Sequence, residues 1–134
     1  MKSPKDILYQ YWGFDQFRPK QEDIIKSVLV GKDTLALLPT GGGKSICFQI
    51  PAIAMEGICI VVSPLIALMK DQVANLKRRE IQAMCITSEN SYREVDAMFD
   101  RCIFGDIKFL YLSPERLQSD IAKARIPQMK VNLI

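Results

Sequence analysis

The residue pattern predicts an α/β domain: an open, mostly parallel sheet with helices on both faces. Three observations predict it. Short apolar, β-branched runs at 34–38, 58–62, 83–87, 108–112 and 130–134 alternate with longer stretches whose apolar residues recur at helical spacing. The connections have the length of βαβ crossovers, which parallel strands require. A triple glycine, Gly41, Gly42 and Gly43, joins the first run to a helix opening on Lys44 and Ser45. At 134 residues the chain has the size of one domain with one core.

Each element has its own signal. Ser3 with Asp6 three residues on, and Pro4 at the first helical position, open a helix whose Ile7, Leu8, Tyr11 and Trp12 share a face; Gly13 ends it. After Phe14 to Gln21 comes a second helix carrying Ile24, Ile25, Val28 and Leu29, closed by Gly31. The strand 34–38 leads through the glycines to a helix that Pro51 should kink and that should end near Gly57. Strand 58–62 runs into Ser63 and Pro64 and a helix with Leu65, Leu68, Met69, Val73 and Leu76, finished by Lys77, Arg78 and Arg79. Strand 83–87 is followed by a helix opened by Ser91 with Glu94 three residues on, the signature of a capping box; Gly105 stops it. Strand 108–112 meets Ser113 and Pro114, a further helix start. Pro127 breaks that helix before the fifth run begins.

The glycine turn carries the chemistry. Glycines between a strand and a helix let several N–H groups and a helix N-terminus converge on one spot, where a phosphate fits. The Lys44 ammonium can reach outer phosphates, and the Ser45 hydroxyl can complete the shell of a phosphate-bound Mg²⁺. This is a phosphate loop for a nucleoside triphosphate, although the general spacing would place glycine where the chain has Leu38.

Composition removes several alternatives. Hydrophobic residues at 49% and charged residues at 25% describe a folded globular chain rather than a disordered one. A net charge of +3 neither demands nor excludes nucleic acid. With no histidine, neither a mixed Cys/His zinc site nor a Ser-His-Asp triad can be built, so metal must arrive with the nucleotide. Cys47, Cys59, Cys85 and Cys102 sit apart among apolar neighbours and read as buried thiols. The N-terminal residues lack the apolar core of a signal peptide, which points to a cytoplasmic location. The apolar stretch 50–69 is interrupted by Pro51, Glu56, Gly57 and Pro64, so no membrane span is expected.

If the strands are parallel, every strand-to-helix junction lies on the carboxyl edge of the sheet, where open α/β folds bind ligands. Ser63 with Pro64, 88–91, and Ser113 with Pro114 would then offer hydroxyls and N–H groups to further phosphates, such as those of a nucleic-acid backbone. Taken singly, each is explained as a helix cap.

These stretches resemble the RecQ family of superfamily 2 DNA helicases, at the beginning of their first RecA-like domain. Phe17-Arg18-Pro19-Lys20-Gln21, with Gly13 and Phe14 before it, is similar to the family's adenine-recognition motif. Residues 39–45, Pro39-Thr40-Gly41-Gly42-Gly43-Lys44-Ser45, are similar to its motif I, which does not need glycine at the place of Leu38. Ser63-Pro64-Leu65 through Leu68-Met69-Lys70-Asp71-Gln72 resembles motif Ia, and Tyr111 through Leu117 resembles motif Ib. The resemblance implies a RecA-like P-loop NTPase fold, with 1–33 as adenine-recognition helices and 34–134 as the sheet core. It implies ATP and Mg²⁺ as ligands. Gln21 would pair with the adenine edge, and Phe14 and Arg18 would flank the base. Thr40, Gly41, Gly42, Gly43, Lys44 and Ser45 would serve the phosphates and metal, with Lys44 the catalytic group. Ser63, Pro64, Leu65, Ser113, Pro114 and Arg116 would contact single-stranded or forked DNA. A 3'-5' helicase in recombination and repair is implied, associated with the nucleoid if bacterial.

The family's Asp-Glu-x-His motif would follow the strand beginning at Val131, and these residues contain neither an Asp-Glu pair nor a histidine. The expectation is an ATP-binding N-terminal fragment of a helicase that by itself neither hydrolyses ATP nor unwinds DNA, since phosphoryl transfer relies on such groups. Two alternatives stay open: a short non-catalytic nucleotide or nucleic-acid binding module, and a small P-loop phosphotransferase, for which Gln21 would have no adenine to read.

Overall fold

The computed structural model describes residues 2–38 and 43–134, which divide into two compact units, 1–56 and 57–134.

The first unit is helical. Helix α1 (Pro4–Ile7) is capped by the Ser3 hydroxyl, which accepts the Asp6 N–H at 3.2 Å, and it runs on as a π-helical turn over Leu8–Trp12. Gly13 ends it at φ +77°, a conformation that glycine adopts without steric cost. Helix α2 (Gln21–Leu29) and helix α3 (Lys44–Ala54) follow. Ile7, Leu8, Ile25 and Ile50 form the core of this unit, with Trp12, Phe17, Leu29 and Ile53 packed against it. Helix α3 continues through Pro51 and stops at Ala54, ahead of Gly57.

One expected element is absent. Residues 32–38 have no regular secondary structure, and Leu35 and Leu37 are 87% and 80% exposed. A strand exists only when a neighbour accepts its backbone hydrogen bonds, and no described residue pairs with this run.

The second unit holds the sheet. Strands β1 (Ile58–Val62), β2 (Ala83–Ile86), β3 (Phe109–Leu112) and β4 (Val131–Leu133) are all parallel, in the order β2-β3-β1-β4. Strand β3 is buried along its whole length, which accounts for its unbroken apolar sequence. Its alternate side chains serve opposite faces. Leu110 and Leu112 join Ile60, Met84 and Ile86 against Val95, Phe99 and Cys102 of α5 (Tyr92–Phe104) and Ala122 of α7 (Asp120–Arg125). Tyr111 faces α4 (Ile66–Arg78), where its hydroxyl donates to Gln72 Oε1 at 2.7 Å. Helices therefore cover both faces, as the pattern predicts. The capping box forms: Ser91 Oγ accepts the Glu94 N–H at 3.2 Å, and Glu94 Oε1 accepts the Ser91 N–H at 2.8 Å. The Ser91 N–H, and after it the Ser91 side chain, hold the Glu94 carboxyl below its ordinary pKa.

Where one helix was expected after Ser113, the chain forms two, α6 (Pro114–Leu117) and α7, and then a 3₁₀ turn over Ile126–Gln128. Ser119 causes the break: its hydroxyl donates to the Arg116 carbonyl and accepts the Ala122 N–H, ending one helix and capping the next. Cys47, Cys59 and Cys102 are buried and Cys85 is half-buried, and none is in a disulfide. Burial pushes the Cys59 and Cys102 thiols up to about 12. Among the described residues no helix is long and apolar enough to cross a membrane.

Candidate functional site

In the first unit the adenine-motif residues meet the end of the glycine turn. Gln21 is only 2% exposed, as the first residue of α2. Its Oε1 accepts the Arg18 N–H at 2.8 Å, and its Nε2 donates to the Gly43 carbonyl at 3.1 Å. A carboxamide suits this place because it donates and accepts at once. One side chain thus ties the Phe17–Gln21 turn to the residue preceding Lys44. Lys20, at φ +71°, directs the chain into α2, a left-handed conformation unusual for a residue with a Cβ. Nothing in the sequence signals it.

A cavity of about 390 Å³ opens beside this link, lined by Leu8, Phe14, Gln16, Arg18, Gln21, Gly43 and Ile46. Phe14, 54% exposed, supplies an aromatic wall. Three residues expected to surround a base, Phe14, Arg18 and Gln21, are therefore brought together with Gly43. Gln16, Leu8 and Ile46 complete the lining and were not anticipated, because cavity walls of this kind carry no motif of their own.

Gly43 caps α3 at φ +76°, and a Cβ there would lie 2.2 Å from Gln21 Nε2. Only glycine satisfies both conditions. Lys44 is exposed as the first residue of α3, and Ser45 follows in its first turn. Aligned peptide dipoles place partial positive charge at this helix start, beside the ammonium. Thr40, Gly41 and Gly42 lie outside the described residues. The parts present fit a nucleotide: a cavity with an aromatic wall, a buried amide, and a glycine-led helix start carrying Lys and Ser.

In the second unit the register aligns three strand ends. Val62, Leu112 and Ile86 are partners across β1, β3 and β2, so the residues after them share one edge. The Ser63 N–H donates to the Leu112 carbonyl at 3.2 Å, and Ser63 Oγ accepts the Leu65 N–H at 3.2 Å. Pro64 and Leu65 are exposed, Leu65 by 60%. Ser113 Oγ accepts the Arg116 N–H at 3.2 Å, with Pro114 next to it as the first residue of α6. The Arg116 guanidinium donates to the carbonyls of Thr87 and Asn90 at 3.0 and 3.1 Å. The structure thus places Ser63, Pro64, Leu65, Ser113, Pro114 and Arg116 along one side of the sheet. Lys70 pairs with Glu89 at 3.3 Å from α4, an exposed contact worth ~1 kcal/mol or less.

Comparison with known proteins agrees with this architecture. The family profile described as DEAD/DEAH box helicase matches residues 18–134. The chain is 43% identical over 134 residues to the probable ATP-dependent DNA helicase RecS of Bacillus subtilis (strain 168), covering 99% of this chain and 27% of that protein. It is 44% identical over 132 residues to the ATP-dependent DNA helicase RecQ of Synechocystis sp., covering 98% and 28%. To the RecQ-like DNA helicase blm-1 of Caenorhabditis elegans it is 38% identical over 116 residues, covering 85% and 12%. The chain thus spans about a quarter of the length of its two bacterial relatives. The parallel sheet covered on both faces is that of a RecA-like helicase domain, and this chain belongs to the DEAD/DEAH box helicase family.

Proposed function

We propose that these residues are the ATP-binding part, with a share of the DNA-binding surface, of an ATP-dependent DNA helicase of RecQ type. The observation that carries the reading is the pair of hydrogen bonds by which the Gln21 amide accepts the Arg18 N–H and donates to the Gly43 carbonyl, beside a cavity with an aromatic wall. In this reading Gln21 pairs with the adenine edge, and Phe14 and Arg18 flank the ring. Gly43, Lys44 and Ser45, with Thr40, Gly41 and Gly42, hold the phosphates, and Ser45 contributes to Mg²⁺ bound through the nucleotide. Because Gln21 also holds the Gly43 carbonyl, recognition of the base and the placement of the residue before Lys44 are linked through one side chain. Bound ATP would supply the free energy of its phosphoanhydride bond; the residues here bind and orient it.

The edge on which Ser63, Pro64, Leu65, Ser113, Pro114 and Arg116 lie serves as a surface for single-stranded or forked DNA. The complete helicase moves 3'-5' in recombination and repair, in the cytoplasm and at the nucleoid if bacterial. The 134 residues alone do not turn ATP over, because they hold neither an Asp-Glu pair nor a histidine to orient water.

A nucleotide-competition experiment tests the proposal. Fluorescent ATP should be displaced by ATP in preference to GTP, Lys44→Ala should weaken binding about tenfold or more, and Gln21→Ala should erase the preference for adenine. Equal displacement by both nucleotides, or binding indifferent to Lys44, would sink the assignment. DNA-stimulated phosphate release from the purified chain would overturn the inactivity.

A further inference from the structure

Arg116 departs from the behaviour of a simple phosphate ligand. Its Nη2 is spent on protein, donating to the Thr87 carbonyl at 3.0 Å and the Asn90 carbonyl at 3.1 Å. Hydrogen bonds from a charged donor are among the stronger ones, and this pair points the guanidinium at the loop after β2. The loop is ordered from within as well. Asn90 Oδ1 accepts the Thr87 N–H at 2.9 Å, Thr87 Oγ1 accepts the Glu89 N–H at 3.2 Å, and the Thr87 carbonyl accepts the Asn90 N–H at 3.2 Å. The capping box of Ser91 and Glu94 anchors its far end. On the other side, the Arg116 backbone is fixed by Ser113 Oγ. Strands β2 and β3 end at the same level, Ile86 opposite Leu112, so Arg116 bridges two neighbouring junctions of the carboxyl edge.

We propose that Arg116 is a positioning residue for single-stranded DNA on this edge, acting by fastening the 87–91 loop to the Ser113–Pro114 turn rather than by touching a phosphate. The inference rests on the reading of this edge as a DNA surface. Holding two junctions in one geometry before the strand arrives removes an ordering cost from binding. A phosphate contact and a fastening contact respond differently to salt. Removing a contact to a phosphate flattens the plot of log affinity against log salt by about 0.7 for a single strand. Removing a fastener lowers affinity and leaves that slope in place.

The test uses the whole chain, a fluorescein-labelled oligo-dT strand, and a KCl series. Arg116→Ala should weaken binding about tenfold across the series with the slope unchanged, and amide hydrogen exchange at Glu89 and Asn90 should accelerate. Asn90→Ala keeps every charge and removes the Asn90 side-chain bonds to Thr87 inside the loop. It should also weaken binding at constant slope, and it stands as an independent check should Arg116→Ala fold poorly. A flattened slope in Arg116→Ala, restored by Arg116→Lys, overturns the proposal in favour of direct phosphate contact. So does unchanged affinity in either alanine variant, which would leave Arg116 a stabilising clasp only. A wild-type chain that binds no strand overturns the DNA reading of the edge together with this inference.

Discussion

The residues at 1–56 and those at 57–134 hold their shape by different kinds of contact. In the first region the helices close their own backbone hydrogen bonds within a few residues and meet one another mainly through their apolar sides, at Ile7, Leu8, Ile25 and Ile50, with the Gln21 to Gly43 bond as a polar link. In the second, every ladder joins distant parts of the chain, as when Ile58 pairs with Val131 and Cys59 with Phe109. A helix with an apolar stripe can form wherever that stripe finds cover. A strand forms only against another strand. The run at 34–38 shows the consequence: its residues favour β structure, yet with no ladder partner among the described residues they form no strand, and Leu35 and Leu37 stay exposed.

The sharpest way to break this comparison is through the core of the sheet. Phe99, 1% exposed, lies on α5 in the buried cluster that also holds Leu110, Leu112 and Ile86. Phe99→Ala should cost ~3–5 kcal/mol in a urea titration, because it removes a large buried side chain and leaves a cavity. A loss under ~1 kcal/mol would mean that this packing does not hold the second region together.

A smaller effect follows from the thiols, which also belong to the second region. Burial raises Cys59 and Cys102 from an ordinary 9.0 to about 12, so the folded chain keeps protons that the unfolded chain releases. Their stabilisation is complete below pH 9 and is lost as pH rises toward 12. In that window each thiol can remove at most ~1.4 kcal/mol per pH unit. Melting temperatures measured upward from pH 7 should decline through this range, and a Cys59→Ala/Cys102→Ala chain, though less stable at neutral pH, should show a shallower decline. Parallel profiles would assign the alkaline loss to other groups.

The smallest effect is expected where the two regions differ most. Leu37→Ser should change stability by no more than ~0.5 kcal/mol, since Leu37 is 80% exposed. A cost above ~2 kcal/mol would show that the 34–38 run is packed as a strand in solution.

Much of the second region was legible because local chemistry and global pattern agree there. The apolar runs that became β1 and β3, the Ser91 to Glu94 capping box and the Ser113-Pro114 helix start each carry a signal within a few residues. Ser63-Pro64 misleads: α4 begins only at Ile66, after Leu65, because the Ser63 hydroxyl accepts the Leu65 N–H in the turn ahead of the helix instead of capping its first turn. The division of the last helix at Ser119 was not legible, because a serine in a helical stretch looks the same whether its hydroxyl points to solvent or recaps the chain. At the candidate site, the motif residues Phe14, Arg18, Gln21 and Gly43 could be named in advance. The bond from Gln21 to Gly43 could not, since its ends are far apart in the chain. Arg116 shows the limit most plainly: the sequence offers a cation at a helix start, and only the fold discloses that two carbonyls of another loop receive it.

By itself the sequence determined where several helices begin, which runs are apolar, and that a glycine-led Lys-Ser pair opens a helix, because these depend on neighbours along the chain. The tertiary structure alone decided which strand lies beside which, that the 34–38 run has no partner among the described residues, and which groups receive Gln21 and Arg116. Those outcomes depend on contacts between segments remote in sequence, and no local preference encodes the geometry that brings them within hydrogen-bonding distance.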